Sequence, residues 1–180
     1  MTIRQDALLF HIRDKSNKEQ AFDAMLLRNK ALIWHICSDY SLDKAWKLED
    51  CMQEVIVSLW RYFDTFEGRS SERTWIYRVA TNTMLMLRRK DSRYPSTEQI
   101  DAHGELNNMS SEVVDDNCQL LRQLINGLPE ENGIIIRAHL DGFSYKEIAE
   151  MTDLTEGAVA MRIARTKQQL KELFEKEIKK

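Results

Sequence analysis

Apolar residues in this chain recur at intervals of three and four, and no window shows the sustained alternation of a strand. Phe22, Met25, Leu26, Leu32, Ile33 and Ile36 mark a first helical stripe. A second helix is predicted from about Lys47 to Phe63, with Leu48, Cys51, Met52, Val55, Ile56, Leu59 and Trp60 on one face. A third runs from about Ser71 to Lys90 and carries Trp75, Ile76, Val79, Ala80, Thr83, Met84 and Leu87. Between these two lies Asp64 to Ser70, a polar loop containing Gly68. The rhythm breaks from Ser92 to Asp115, where Pro95, Gly104, a Ser/Asn cluster and several acids read as a linker. It resumes near Asp116 with Leu120, Leu121, Leu124 and Ile125, and Gly127 stops that helix. Pro129 falls in the first turn of the next helix, where its missing N–H is tolerated, and Ile134, Ile135, Ile136 and Leu140 follow. The prediction is an all-α protein of two small helical domains, residues 19–91 and 117–180. A flexible acidic linker at 92–116 joins them, and an extension, 1–18, precedes them.

The last third of the chain carries the most specific local pattern. Ser144 is a good N-cap residue and Glu147 sits three positions later, the spacing of a capping box. Tyr145, Ile148, Ala149 and Met151 then form a short apolar face. Thr152, Asp153 and Leu154 have turn chemistry, with Leu154 as a buried plug. Thr155 can cap a second helix whose Val159, Ile163, Thr166 and Leu170 recur at helical spacing, leaving Arg162, Arg165 and Lys167 to face elsewhere. A short helix, a tight turn and an arginine-bearing second helix is the arrangement that places a recognition helix in the major groove. The plain alternative is an amphipathic hairpin in some other bundle.

Charge qualifies this picture. The formal net charge is −3, whereas neutralising phosphates calls for a surplus of Lys and Arg. The distribution is uneven, however. From Arg61 to Arg93 eight basic residues face four acidic ones, and from Tyr94 to Asn117 there are six acids and no Lys or Arg. A basic element followed by an acidic connector suggests one DNA-facing segment and one that stays off DNA. The three cysteines, Cys37, Cys51 and Cys118, are widely spaced and odd in number, which fits a reducing cytoplasm. His35 lies near Cys37, but no CxxC or second His pair accompanies them, so no metal site is expected. No run of eighteen apolar residues is present, and the start of the chain lacks the order of a signal peptide. Neither a Gly-rich phosphate loop, a nucleophile elbow nor HExxH occurs, so no catalytic residue and no cofactor is expected.

Three motifs then fall in a recognisable order. Leu48-Glu49-Asp50-Cys51-Met52-Gln53-Glu54-Val55, ending at Trp60, resembles the signature of region two of bacterial sigma factors. Thr74-Trp75-Ile76-Tyr77-Arg78-Val79-Ala80-Thr81-Asn82 is similar to the W-L-Y-R-I-A-x-N helix of the same family. Gly127-Leu128-Pro129-Glu130-Glu131 and Tyr145-Lys146-Glu147-Ile148-Ala149 resemble region four. Order, spacing and length together resemble the extracytoplasmic-function sigma factors, over about residues 20–90 and 117–175.

That resemblance implies a non-enzymatic initiation factor that binds core RNA polymerase and promoter DNA. Asp50, Gln53 and Glu54 share one polar side of a helix. The resemblance makes them a docking surface for the clamp of the β′ subunit, with the β subunit as a further contact; otherwise they are simply a solvated face. Trp75, Tyr77, Arg78 and Asn82, with Arg88, Arg89 and Lys90, would hold the melted −10 element through stacking, base-edge hydrogen bonds and phosphate contacts; Trp75 could equally be a core residue. Ser144, Glu156, Met161, Arg162, Arg165 and Lys167 would contact the −35 element. Two departures stand out. Met86 occupies a place where family members carry Asp or Asn, and Gly157 to Arg162 reads G-A-V-A-M-R where G-T-V-K-S-R is common. With no domain expected after Lys180, regulation is expected from a separate anti-sigma factor. The competing function is a stand-alone helix-turn-helix regulator, which would bind duplex DNA unaided, normally as a dimer on a palindrome.

Overall fold

The computed structural model describes residues 3–41, 46–93 and 116–179. Among them are seven α-helices and no strand: α1 (Ile3–Ser41), α2 (Leu48–Tyr62), α3 (Glu72–Arg93), α4 (Asp116–Asn126), α5 (Glu130–Leu140), α6 (Tyr145–Thr152) and α7 (Glu156–Ile178). The expected extension is helical from Ile3 onward, and most of the expected linker lies outside the described residues. The chain divides into two compact units, and the division falls within α3, after Met86.

In the first unit, Phe22, Met25, Ile33, Ile36, Cys37 and Tyr40 of α1 are buried and follow helical spacing. They pack against α2, where Cys51, Val55 and Leu59 are buried, and α3 buries Ile76, Tyr77, Ala80 and Met84. Glu49 and Asp50 in the first turn of α2 favour its dipole, since its N-cap, Lys47, makes no side-chain bond. An aromatic cluster closes the far end of α2: Phe22 meets Trp60 and Phe63 edge-on, with ring centroids 4.9 and 5.2 Å away. A 3₁₀ turn, Phe63–Thr65, then leads into a loop in which Gly68 adopts φ +69°. Ser71 ends that loop, its Oγ accepting from Thr74 N–H at 3.0 Å to cap α3.

The second unit gathers α4, α5 and α6 around α7. Its core contains Ile125, Leu128, Ile135, Ile136, Phe143, Ile148, Val159, Ile163 and Leu170. Pro129 precedes α5 as its N-cap rather than sitting in the first turn, one residue earlier than expected. Arg137 is buried in α5 and donates to Asn126 Oδ1. Gly133 makes room for it, since a Cβ there would lie 2.9 Å from Arg137 Nη1. Gly142, at φ +80°, turns the chain sharply after α5 so that Phe143 can be buried. Three sequence expectations are corrected here. Leu140 and Tyr145 are exposed, and Leu154 is only half-buried. Leu140 ends α5 at its solvent side, and Tyr145 opens α6 beside the ring of His139, at 5.8 Å between centroids.

Candidate nucleic-acid and protein interfaces

α2 divides cleanly into two sides. Cys51, Val55 and Leu59 point inward, while Asp50, Gln53, Glu54 and Val57 are exposed at intervals of three, one and three. Those four positions share one face, so two carboxylates and an amide surround an apolar valine in solvent. Trp60 ends the helix with its ring partly exposed and the Lys18 ammonium 4.6 Å from the ring centroid. Lys18 is itself held by Asp64 at 2.6 Å.

α3 presents a longer strip. Trp75, Arg78, Asn82, Met86 and Arg89 follow one another by three or four residues and so line one face. Arg78, Asn82 and Arg89 are exposed, and Met86 is 68% exposed. Trp75 is half-buried, its ring packed on Phe66 of the preceding loop with centroids 5.1 Å apart. It is therefore both a packing residue and a partly open aromatic surface. The loop also carries an ion pair between Glu67 and Arg69 on either side of Gly68. Lys90 is exposed and Arg88 half-buried. Tyr77 differs from the expectation of an exposed contact: at 1% exposure it belongs to the core. It shares the inward side with Ala80, Thr81 and Met84, at helical intervals that would have revealed its burial. Nothing in the sequence marks Phe66, because loop aromatics carry no periodic signal.

The helix-turn-helix is built as its sequence indicates. Ser144 Oγ accepts from Glu147 N–H at 3.2 Å, and Glu147 Oε2 accepts from Ser144 N–H at 2.9 Å, which completes the capping box. Asp153 ends α6 in the left-handed conformation, φ 54° and ψ 33°, with its N–H returned to Ala149 O. Thr155 Oγ1 accepts from Ala158 N–H at 3.2 Å and starts α7. Val159, Ile163, Thr166 and Leu170 are buried, which fixes the rotation of α7 and leaves Glu156, Met161 and Arg165 in solvent. Ser144 is exposed, but its hydroxyl serves the cap. Arg162 is half-buried and ion-paired with Glu131 of α5. Lys167 Nζ lies 2.8 Å from His139 Nε2. An ammonium can only donate, so His139 accepts there as the neutral ring. Desolvation, and then the neighbouring lysine charge, push the His139 pKa down, in keeping with that state.

Two helical units, one with a mixed acidic and apolar face on α2 and the other with a capped helix-turn-helix, define a DNA-binding protein. Residues 25–94 match the family Sigma-70 region 2, and residues 118–170 match Sigma-70, region 4. The chain belongs to the sigma-70 family, in its extracytoplasmic-function group. It is 28% identical to the ECF RNA polymerase sigma-E factor of Escherichia coli strain K12, with 87% of each chain covered. The corresponding factor of Haemophilus influenzae is 29% identical over 68% of this chain and 72% of its own. Among solved structures, the sigma factor RpoE in complex with the anti-sigma factor NepR from Bartonella quintana shares the fold. Its TM-score is 0.62 at 21% identity, covering 87% of this chain and 98% of that one. CnrH in complex with the cytosolic domain of CnrY gives 0.61 at 19% identity, covering 87% and 89%.

Proposed function

We propose that the protein associates with core RNA polymerase and directs it to a distinct set of promoters, with residues 19–91 serving polymerase and the −10 element and residues 117–180 the −35 element. The carrying observation is the succession of the region 2 match at residues 25–94 and the region 4 match at residues 118–170. Each unit displays an exposed face of the right chemistry. On α2, Asp50, Gln53 and Glu54 offer acceptors to Arg and Lys of the β′ clamp, and Val57 gives the contact an apolar centre. On α3, Arg78, Asn82 and Lys90 suit phosphates and base edges of melted DNA, and the Phe66–Trp75 pair suits stacking, whereas Arg89 is ion-paired with Glu130. On α7, Glu156, Met161 and Arg165 enter the major groove. An apolar groove of about 320 Å³ between α4, α5 and α7, rimmed by Lys167 and Lys171, supports a contact with the β subunit.

The protein acts without chemistry of its own, in the cytoplasm where polymerase works. Among the described residues no helix is long and apolar enough to cross a membrane, and no cluster of ligands could hold a metal. An anti-sigma factor is a further partner, a reading supported by the similar RpoE, which is bound to the anti-sigma factor NepR, and by CnrH, which is bound to the cytosolic domain of CnrY.

Reconstituted transcription tests this reading. Core polymerase with the full chain should initiate at promoters it ignores alone. The double variant Asp50→Ala/Gln53→Ala should bind core polymerase more weakly by about 1–3 kcal/mol while keeping its fold. Undiminished binding by the folded variant would remove the docking assignment.

A further inference from the structure

The groove between α4, α5 and α7 combines an apolar floor with a cationic rim. Leu121, Leu140, Leu170 and Phe174 belong to the floor, and the space they border measures about 320 Å³. Leu140 stays 58% exposed at its edge. Lys167 and Lys171 stand one turn apart on α7 at the rim, and both are exposed. Lys167 meets the neutral ring of His139, which leaves its charge uncompensated. Among the described residues no carboxylate pairs with either lysine. The groove therefore suits apolar side chains flanked by negative charge.

The chain itself carries a segment of that chemistry beside the groove. Residues 94–115, outside the described ones, hold Glu98, Asp101, Glu105, Glu112 and Asp115 and no Lys or Arg. Leu106, Met109 and Val113 recur there at intervals of three and four. The segment ends where α4 begins, at Asp116, and Leu121 of the groove follows five residues later, about 7.5 Å along the helix. Ten residues of chain can span about 33 Å, so the stretch from Leu106 to Asp115 can turn back along the groove. We propose that this acidic segment docks on the groove of its own chain, with Leu106, Met109 and Val113 on the apolar floor and its carboxylates towards Lys167 and Lys171, and so competes with polymerase for that surface. A short tether holds its ligand at an effective concentration on the order of mM, so contacts too weak for a separate peptide suffice. The competition rests on the reading of this groove as the β contact, whereas the docking does not.

The test is methyl NMR on the full chain with its Ile, Leu, Val and Met methyls isotopically labelled. Nuclear Overhauser contacts should join Leu106, Met109 or Val113 to Leu121, Leu140 or Leu170. The combined variant Leu106→Ser/Met109→Ser/Val113→Ser should abolish them and shift the groove resonances while the helical content stays as in wild type. Lys171→Glu should weaken the same contacts, because it sets a like charge against the segment. Where the segment fills the groove four-fifths of the time, the triple Ser variant should bind core polymerase about 5-fold more tightly than wild type. A free full chain with no contact between segment and groove overturns the proposal. So do contacts that arise only between a labelled and an unlabelled copy, which would make the occupant a second chain. Contacts within one chain, with polymerase affinity unchanged in the triple variant, overturn the competition alone, and the β reading of the groove is then what fails.

Discussion

Glu72, in the first turn of α3, receives the guanidinium of Arg28 from α1 at two points, Nη2 to Oε2 at 2.8 Å and Nε to Oε1 at 3.3 Å. Asn29 Nδ2 adds a third donor at 2.5 Å to Oε1 and also donates to Met25 O at 2.9 Å. One carboxylate therefore favours the α3 dipole and joins two helices that are 44 residues apart in sequence at this pair. The hydrogen bond from Arg28, together with Asn29, holds the Glu72 carboxyl below the ordinary carboxylate range. A lowered pKa contributes stability that is complete above the unfolded value, about 4.3 for Glu, and is lost as pH falls through the folded one. Glu72→Gln should flatten the acid limb of the stability profile at a neutral-pH cost on the order of 1 kcal/mol or less, as for a partly exposed pair. Chemical denaturation at pH 7 and at pH 3.5 checks both parts; an unchanged acid limb would contradict them.

Tyr77 and Asn82 should separate stability from function. Tyr77 lies in the core, so Tyr77→Ala should lose about 3–5 kcal/mol of folding stability, as for other large buried aromatics. Asn82 is exposed, so Asn82→Ala should stay within about 0.5 kcal/mol of wild type. The Asn82 variant should nevertheless slow promoter opening. Melting curves beside permanganate footprinting read the two effects, and normal opening by a stable Asn82 variant would take this residue out of the −10 surface.

The capping box offers a purely local test. Ser144→Ala should destabilise the second unit by about 1 kcal/mol, and Glu147→Ala by a similar or smaller amount. Because each residue satisfies the backbone of the other, the double variant should lose less than the two single losses added together. Strict additivity in a double-mutant cycle would show the two bonds to be independent.

The thiols should react in two classes. Cys118 is exposed, whereas Cys37 and Cys51 are buried. Burial, with a smaller contribution from Cys51, pushes the Cys37 thiol up to about 12, and burial also raises that of Cys51. Only the thiolate is nucleophilic, so a disulfide reagent at pH 8 should label one cysteine quickly and the other two only after unfolding. A raised pKa contributes stability that is full below the unfolded value of about 8.5 and is lost as pH rises toward the folded one. Alkaline solution should therefore weaken the first unit, a trend followed by denaturation between pH 8 and 10.

What the sequence made legible was what is local or periodic. The Ser144–Glu147 box depends on a spacing of three, and the inward face of α7 on a repeat of three and four, so both could be read directly. Tyr77 belongs to a motif that suggests an exposed contact, yet the helical intervals that tie it to Ala80, Thr81 and Met84 put it in the core. Leu140 and Tyr145 continue apolar stripes in the sequence, yet both stand where the chain turns and solvent reaches their faces. The pairings of Arg28 with Glu72 and of Arg162 with Glu131 span 44 and 31 residues. Nothing in residue type or spacing marks such partners, since any of 29 acids could answer any of 26 Lys and Arg residues. Phe66 against Trp75 is the same kind of case, a contact made by the course of a loop.

The hold of Glu131 on Arg162 also bears on how the recognition helix responds to ionic strength. Each phosphate a protein neutralises releases condensed counterions and steepens the fall of affinity with salt by about 0.9 in a double-logarithmic plot. An arginine that keeps its carboxylate partner in the complex releases none. The −35 contact should thus have a salt slope shallower by about one unit than the basic residues of α7 would suggest. Under the promoter-binding reading, recognition by this helix would then lean more on contacts that ions do not screen, and the task of drawing the protein to DNA would pass to the polymerase.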